Sequence, residues 1–163
     1  ESFSFDVVSD FERQELVNTL DQVKREISQR YDLKGTDSKV VLDKENIFIT
    51  TNSELTLNAI NDIIRQKAIK RNLSLKIFEY GEIETVSGNK VKQTILLKQG
   101  IKQEIAKKIS KNIRDHIKKI NVSNNGETLR VSSKSKNDLQ LAIKLVSELE
   151  ESLNIPLKAN NFR

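Results

Sequence analysis

The 163-residue sequence predicts an α+β protein made of two successive units, each a four-stranded antiparallel sheet with two helices. The main observation is that a strand–helix–strand–strand–helix–strand order occurs twice. Short segments also correspond between the copies: residues 13–16 (RQEL) match 102–105 (KQEI), and residues 49–53 (ITTNS) match 131–135 (VSSKS). A period of about 80 residues is too long for a solenoid repeat, so the duplication indicates paired domains.

Periodicity predicts the elements of the first copy. Alternation of apolar and polar residues predicts strands, and apolar residues three or four apart predict helices. Ser9 with Glu12 resembles a capping box at the start of the first helix, and Ser53 is placed to cap the second. The predicted order is a strand over residues 3–8, a helix to about residue 30, a hairpin over 39–49, a second helix and a strand over 73–80.

The second copy repeats this order after a junction predicted at residues 81–89. Its predicted elements are a strand over 91–97, a helix from Gly100 to about Lys118, a hairpin around Asn125-Gly126, and a helix capped by Ser135. Pro156 limits the closing segment, residues 157–162, to an edge strand or an extended tail. The predicted domains are therefore residues 10–88 and residues 89–163. Two helices on one face of an antiparallel sheet form the ferredoxin-like plait, a fold shared with RNA-recognition domains.

Composition excludes several classes of function. Cysteine is absent, which removes disulfides, thiolate catalysis and cysteine-ligated metals. The only histidine, His116, is predicted to be half-buried near the end of the third helix, and no phosphate-binding glycine loop or metal-ligand spacing occurs. We therefore expect no catalytic residues, no metal site and no cofactor. No apolar run is long enough to span a membrane, and we expect a cytoplasmic protein.

The charge is distributed unevenly along the chain. Residues 1–88 carry 12 Lys/Arg and 16 Asp/Glu, a net charge of −4, whereas residues 89–163 carry 16 and 7, a net charge of +9. A basic half indicates a polyanionic partner, and a lysine-rich solvated surface is the alternative explanation. On the third helix, Lys107, Lys111, Arg114 and Lys118 are predicted to lie within one narrow arc, opposite a stripe of isoleucines. Such a row could follow successive phosphates.

Three other segments combine cations with flexible or aromatic residues. Lys98, Gln99, Gly100 and Lys102 stand at a strand-to-helix turn, where free N–H groups favour anions. Arg30 and Lys34 flank Tyr31 after the first helix; Tyr31 continues that helix's apolar stripe, so a core role for its ring stays open. The C-terminal segment contains Asn160, Asn161, Phe162 and Arg163. Aromatic residues are few, and the aromatic signature of RNA-recognition domains is missing, which weakens the case for sequence-specific single-strand recognition.

Five further segments stand out along the chain: residues 4–9 (SFDVVS), 30–35 (RYDLKG), 97–101 (LKQGI), 129–140 (LRVSSKSKNDLQ) and 161–163 (NFR). In this order and spacing they resemble the YajQ family of bacterial nucleotide-binding proteins. The resemblance covers essentially the whole chain, and Asn137 departs from the aspartate expected there. It implies two plait domains, with strand 1–9 added to the sheet of the second domain. It also implies binding of GTP, cyclic di-GMP or RNA, and a role in transcriptional co-regulation.

The leading hypothesis is a non-enzymatic protein that binds a nucleotide or RNA through a basic surface and a cleft between the domains. The alternative is a protein-interaction module, such as a transcriptional co-regulator, for which a nucleotide serves as a switch. The residues and the resemblance leave a dinucleotide and RNA equally open as ligands. The candidate binding residues are Arg30, Lys34, Lys98, Gln99, Gly100, Lys102, Lys107, Lys111, Arg114, Lys118, Lys134, Asn160, Asn161, Phe162 and Arg163.

Overall fold

A computed structural model describes residues 2–163 and divides the chain into two compact units. We call residues 11–98 the first plait, and residues 2–10 together with 99–163 the second plait. In chain order the elements are β1 (Phe3–Val8), α1 (Arg13–Gln29), β2 (Lys39–Leu42), β3 (Asn46–Thr51), α2 (Glu54–Lys70), β4 (Phe78–Tyr80), β5 (Glu84–Val86), β6 (Lys90–Leu97), α3 (Gln103–His116), β7 (Asn121–Asn125), β8 (Thr128–Ser133), α4 (Lys136–Leu153) and β9 (Lys158–Asn160).

Each plait is an antiparallel sheet with two helices, which confirms the predicted α+β fold of two ferredoxin-like domains. The strand order is β2-β3-β6-β4 in the first plait, with β5 also paired to β6, and β7-β8-β1-β9 in the second. β6 thus holds in the first sheet the position that β1 holds in the second. β1 leads along the chain into α1 of the first plait, and β6 leads into α3 of the second. β1 therefore precedes the first helix of the first plait but lies in the second sheet. In the same way, β6 precedes the first helix of the second plait but lies in the first sheet.

This exchange moves the boundary from its predicted place between residues 88 and 89. Ile95 of β6 pairs with Ile47 of β3, and Leu97 pairs with Phe78 of β4, so the strand belongs to the first sheet. The division falls after Lys98, ten residues later than predicted. The predicted junction also contains the short strand β5. The physical reason is that apolar alternation identifies a strand but carries no information about which sheet it joins.

Two separate cores hold the plaits. The predicted stripe of α1, including Leu16, Leu20 and Val23, packs with Ile47 and Ile49 of the first sheet. In the second core, α3 and α4 pack on β1 and β8; its fully buried members include Phe5, Val7, Ile109, Ile113, Leu129 and Val131. Each such side chain contributes about 1.5–3 kcal/mol when it is fully buried. No helix within residues 2–163 is both long enough and apolar enough to cross a membrane.

Of the three helix caps predicted at serine residues, two are confirmed and one is wrong. The Ser53 hydroxyl accepts the Thr56 N–H at 3.1 Å, and that of Ser135 accepts the Asp138 N–H at 3.2 Å, as predicted. The predicted capping box at Ser9 is wrong, since α1 begins at Arg13 with Glu12 as its N-cap. Ser9 is buried in the second plait, where its carbonyl accepts a backbone N–H, and it is therefore not part of α1.

Candidate functional site

The helix α3 presents a cationic face because its apolar residues are drawn to the other side. Ile109 and Ile113 are fully buried against the second sheet, while Lys107, Lys111 and Arg114 are exposed. The helix ends at His116, two residues before Lys118, so the predicted row of four cations is reduced to three on the helix itself. Lys118 is exposed in the segment that leads to β7.

The three cations border a depression between α3 and β7 that has a volume of about 320 Å³. We call it the basic groove; its lining residues are Lys107, Ser110, Lys111, Arg114, Val122 and Asn124. Arg114 is held in place because its Nη2 donates to the Val122 carbonyl at 2.7 Å. That bond uses one donor of the guanidinium, which has five N–H donors in all. The groove therefore combines a positioned guanidinium with two ammonium groups, a hydroxyl and an amide.

One carboxylate lies beside the groove. Lys111 Nζ donates to Asp115 Oδ2 at 2.8 Å, one turn along the helix, and both side chains are largely exposed. The hydrogen bond to Asp115 raises the pKa of Lys111. An exposed ion pair of this kind is worth little and exchanges readily for a stronger partner. A phosphate can therefore compete with Asp115 for this lysine.

Sequence reasoning did not single out Ser110, Val122 or Asn124 as part of this surface. Ser110 lies one turn before Arg114 on α3, so its helical position was an available signal. Val122 and Asn124 come from a strand, and their place beside α3 follows from the sheet order. No pattern in the sequence indicates the order of the strands in the sheet.

The predicted anion site at Gly100 is largely occupied by the protein itself. The Gly100 N–H donates to the Ser9 carbonyl at 2.6 Å, and the Ile101 N–H donates to the Glu127 carbonyl at 2.8 Å. Lys102 Nζ is bound to Glu127 Oε2 at 2.6 Å. Gly100 has φ +83°, and a Cβ there would lie 1.9 Å from the same carboxylate oxygen, so glycine serves the turn. The nearby carboxylate would also repel an anion.

Lys98 and Gln99 stand on either side of the division between the plaits. Lys98 is half-buried in the first plait, and its backbone N–H donates to the Ile77 carbonyl at 2.7 Å. Gln99 is exposed at the start of the second plait's main segment. Neither residue lines the basic groove. Lys134 is exposed between β8 and α4 and is also absent from that lining.

In the segment after α1, the cation Arg30 is paired with nearby carboxylates. Arg30 makes two bonds of 2.8 Å to the Asp32 carboxylate and a third, of 3.2 Å, to Glu26. These bonds, chiefly those to Asp32, raise the pKa of Arg30, and Arg30 in turn lowers the pKa of Asp32. Lys34 Nζ lies 5.7 Å from the centre of the Tyr31 ring. The Tyr31 side chain is 89% exposed, so the core role left open for its ring is excluded.

The C-terminal segment is ordered against β1 rather than frayed. Ser4 and Arg163 exchange both backbone hydrogen bonds, at 3.0 and 3.2 Å. The Asn161 side-chain amide donates to Asp6 Oδ2 at 2.9 Å, and Arg163 lies 3.8 Å from the same oxygen. Asn160 belongs to β9, where it pairs with Asp6. Two of the four candidates here therefore hold an internal carboxylate, which reduces their availability to a ligand.

Phe162 is the aromatic member of this segment. Its side chain is largely exposed, and its ring centre lies 5.9 Å from that of buried Phe5. The ring therefore contacts the second core through Phe5, while most of its surface is exposed.

His116, Asp37 and Asp43 each make contacts within the protein. His116 is exposed, contrary to the predicted half-buried position, and its Nδ1 lies 2.8 Å from the Asn112 carbonyl oxygen. Asp43 accepts two backbone N–H bonds within a hairpin turn, and Asp37 pairs with Lys90. Within the described residues no group of three or more acidic or histidine side chains could hold a metal ion.

Comparison with known proteins gives one consistent result. The family model described as "Nucleotide-binding protein YajQ-like" matches residues 3–163. A protein named nucleotide-binding protein from Prochlorococcus marinus strain MIT 9312 is 92% identical over 163 residues, which cover 100% of this chain and 99% of the relative. One with the same description from Synechococcus sp. strain CC9902 is 54% identical over 160 residues, covering 98% and 97%. The chain therefore belongs to the YajQ-like family of nucleotide-binding proteins.

Proposed function

We propose that this protein binds, without catalysis, the phosphate groups of a nucleotide such as GTP or cyclic di-GMP, or of RNA, in the basic groove. The observation that supports this most directly is the convergence of Lys107, Lys111 and Arg114 on one concave surface. Charge-assisted hydrogen bonds from guanidinium and ammonium groups are the usual means of phosphate recognition. Outside the groove, four of the predicted candidates contact the protein's own carboxylates: Arg30, Lys102, Asn161 and Arg163.

The size and chemistry of the groove narrow the proposal. About 320 Å³ is at the small end of the range for small-molecule sites, so the groove suits the phosphate part of a ligand better than an entire dinucleotide. Ser110 and Asn124 add polar groups that can bond to phosphate or sugar oxygens. The lining includes no carboxylate or histidine that could act as a general base, which favours binding over catalysis.

Charge removal in the groove tests the proposal. We expect Lys107→Gln together with Lys111→Gln to weaken binding of a single-stranded RNA about ten-fold at 0.1 M salt, because two phosphate contacts and their counterion release are lost. The slope of log affinity against log salt should fall by about 1.4 for the same reason. Fluorescence anisotropy at several salt concentrations measures both quantities, and parallel titrations with GTP and cyclic di-GMP compare the ligands.

A matched control separates the groove from net charge. Lys108 lies on α3 and Lys144 on α4; both are exposed, and neither lines the groove. Lys108→Gln with Lys144→Gln changes net charge by the same amount and should leave affinity within about two-fold of the wild type. Equal losses in the two double variants would show that only overall charge matters. If the wild-type protein binds none of the three ligands at low salt, the proposal is wrong.

A further inference from the structure

A second surface with binding chemistry lies on the first sheet, on the face opposite the helices. Ile47 and Ile49 of β3 are fully buried with α1 and α2, so Phe48, which lies between them on the strand, points to the other face. Val41 of β2, which is 51% exposed, pairs with Phe48 and lies on that face. Leu96 of β6 is 40% exposed and lies diagonally across from Phe48 on the same face. Three apolar side chains from three adjacent strands thus share this face, where Val41 and Leu96 are exposed and Phe48 is half-buried.

Lysines adjoin this apolar surface. Lys92 of β6 places its Nζ 5.6 Å from the centre of the Phe48 ring. Lys39 of β2 lies two residues from Val41 and is therefore on the same face, at the other side of Phe48. Thr50 pairs with both lysines, and Thr94 pairs with Phe48, which adds two hydroxyl groups. The surface consequently combines an aromatic ring, cations and hydrogen-bonding groups at neighbouring positions on three strands.

The acidic residues on this face lie toward one edge or are already engaged. Glu79 of β4 pairs with Leu96, and Glu84 of β5 pairs with Lys92, so both are on the β4–β5 side. Asp43 accepts the backbone N–H groups of Glu45 and Asn46 in the β2–β3 turn, and Asp37, which precedes β2, pairs with Lys90. The β2–β3 side around Phe48 is therefore the more positive part of the surface.

We propose that this face, made of Lys39, Val41, Phe48, Thr50, Lys92, Thr94 and Leu96, binds single-stranded nucleic acid. One base stacks on Phe48 with Val41 and Leu96 beside it, and the flanking phosphates contact Lys39 and Lys92. A duplex cannot use this surface in the same way, because its bases are already stacked on one another. A lysine above the ring would compete with a base only weakly, since cation–π contacts at exposed sites are worth about 0.5–1 kcal/mol.

The positive charge of this face favours nucleic acid over a hydrophobic protein as its ligand. Two lysines beside an aromatic ring, with one hydroxyl group on the strand of the ring and one on the next strand, match a chain of alternating bases and phosphates. A hydrophobic protein partner would have to desolvate both ammonium groups without gaining a phosphate in return. The inference extends the proposed RNA binding to the first plait, but it depends on different residues from the basic groove and can hold or fail independently.

Substitution of the aromatic ring provides the test. We expect Phe48→Ala to weaken binding of a fluorescein-labelled single-stranded RNA decamer about five- to one-hundred-fold, because base–aromatic stacking is lost. Phe48→Leu, which keeps an apolar side chain, should show most of that loss, and Phe48→Tyr should bind like the wild type. Affinity for GTP and for a duplex of the same sequence should be unchanged. Lys39→Gln with Lys92→Gln should lower the salt slope by about 1.4.

Leu55→Ala is the matched control, since it removes an exposed apolar side chain, 82% exposed, from the start of α2 in the same plait. It should leave binding unchanged, and circular dichroism confirms that each variant is folded. The proposal is overturned if folded Phe48→Ala and Phe48→Leu bind the decamer with wild-type affinity. It is also overturned if these variants change only the oligomeric state in sedimentation, which would identify a protein interface. A loss with the Phe48 variants but none with the groove variants would support this surface against the groove.

Discussion

A fragment of residues 99–163 is expected to remain unfolded until a peptide of residues 2–10 is added. The fragment lacks β1, which lies between β8 and β9 and pairs with both. It also lacks Phe5 and Val7, both 0% exposed in the second core. Loss of one buried phenylalanine costs about 3–5 kcal/mol, and loss of the whole central strand adds unpaired backbone groups on both sides. That exceeds what a core of this size can spare.

Circular dichroism of the fragment during titration with the peptide measures the effect, and the helical signal should rise with a saturable curve. A peptide with Phe5→Ala serves as the control and should fail to restore structure at the same concentration. Residues 11–98 contain both helices and all five strands of the first sheet and should fold without any addition. Cooperative thermal unfolding of the 99–163 fragment alone would contradict the expectation.

The second large effect is expected at Asp6, a carboxylate that is 6% exposed on the second sheet. Its oxygens accept from the Asn161 amide at 2.9 Å and from Arg130 Nε at 3.2 Å, and Arg163 lies nearby. The bond from Asn161, together with the two arginines, lowers the pKa of Asp6 against the opposing effect of burial. Asp6→Asn removes the charge, and its new amide N–H group faces the N–H donors of Asn161 and Arg130. We expect it to lower the free energy of unfolding by about 2–3 kcal/mol at neutral pH.

The effect has a defined pH dependence. Because the folded-state pKa of Asp6 is lowered, its stabilisation is complete above the unfolded-state value of about 4 and is lost as pH falls through the folded-state value. The difference between wild type and Asp6→Asn should therefore be constant from pH 5 to 8 and shrink in more acidic solution. A difference that persists undiminished at low pH would show that the carboxylate charge is not responsible.

The measurement must report on the second plait. Both tyrosines, Tyr31 and Tyr80, lie in the first plait, and tryptophan is absent. Intrinsic fluorescence therefore reports the unfolding of the first plait and not that of the second. Hydrogen exchange of the β1 amides in urea reports the second plait directly. Asp10→Asn is the control: Asp10 pairs with Lys158 at 3.2 Å on the surface, and its loss should cost less than about 1 kcal/mol.

Much of the local structure could be predicted because it depends on residues close together in the chain. The α1 stripe of Leu16, Leu20 and Val23 and the caps at Ser53 and Ser135 are examples. The Ser9 capping box failed although it has the right residues, since Ser9 is held by the second plait. Tyr31 has the right spacing for the α1 stripe, yet it is exposed because α1 ends at Gln29 and buried Leu33 takes the core position instead.

The candidate site shows the same division. Periodicity places Lys107, Lys111 and Arg114 on one side of a helix, but neither the concavity beside them nor the bond from Arg114 to Val122 can be read along the chain. Cations such as Arg30 and Lys102 looked equally suitable in sequence and are engaged by Asp32 and Glu127 in the structure. Lys102 and Glu127 are 25 residues apart, so their ion pair depends on the folding of distant segments, whereas the pair of Arg30 with Asp32 joins residues two positions apart.

The amino-acid order alone was sufficient for the duplication, the α+β class, the caps of α2 and α4 and the cationic face of α3, all of which depend on residues within a few turns of one another. The placement of β1 in the second sheet was expected only from the family resemblance. Tertiary structure decided that β6 joins the first sheet, that Asp6 is enclosed by Asn161 and Arg130, and that Phe48 shares a face with Lys92. The physical reason is that strand pairing and burial are contacts between distant segments. An alternating strand satisfies its own pattern equally well in either sheet, and only the packing of both cores selects one.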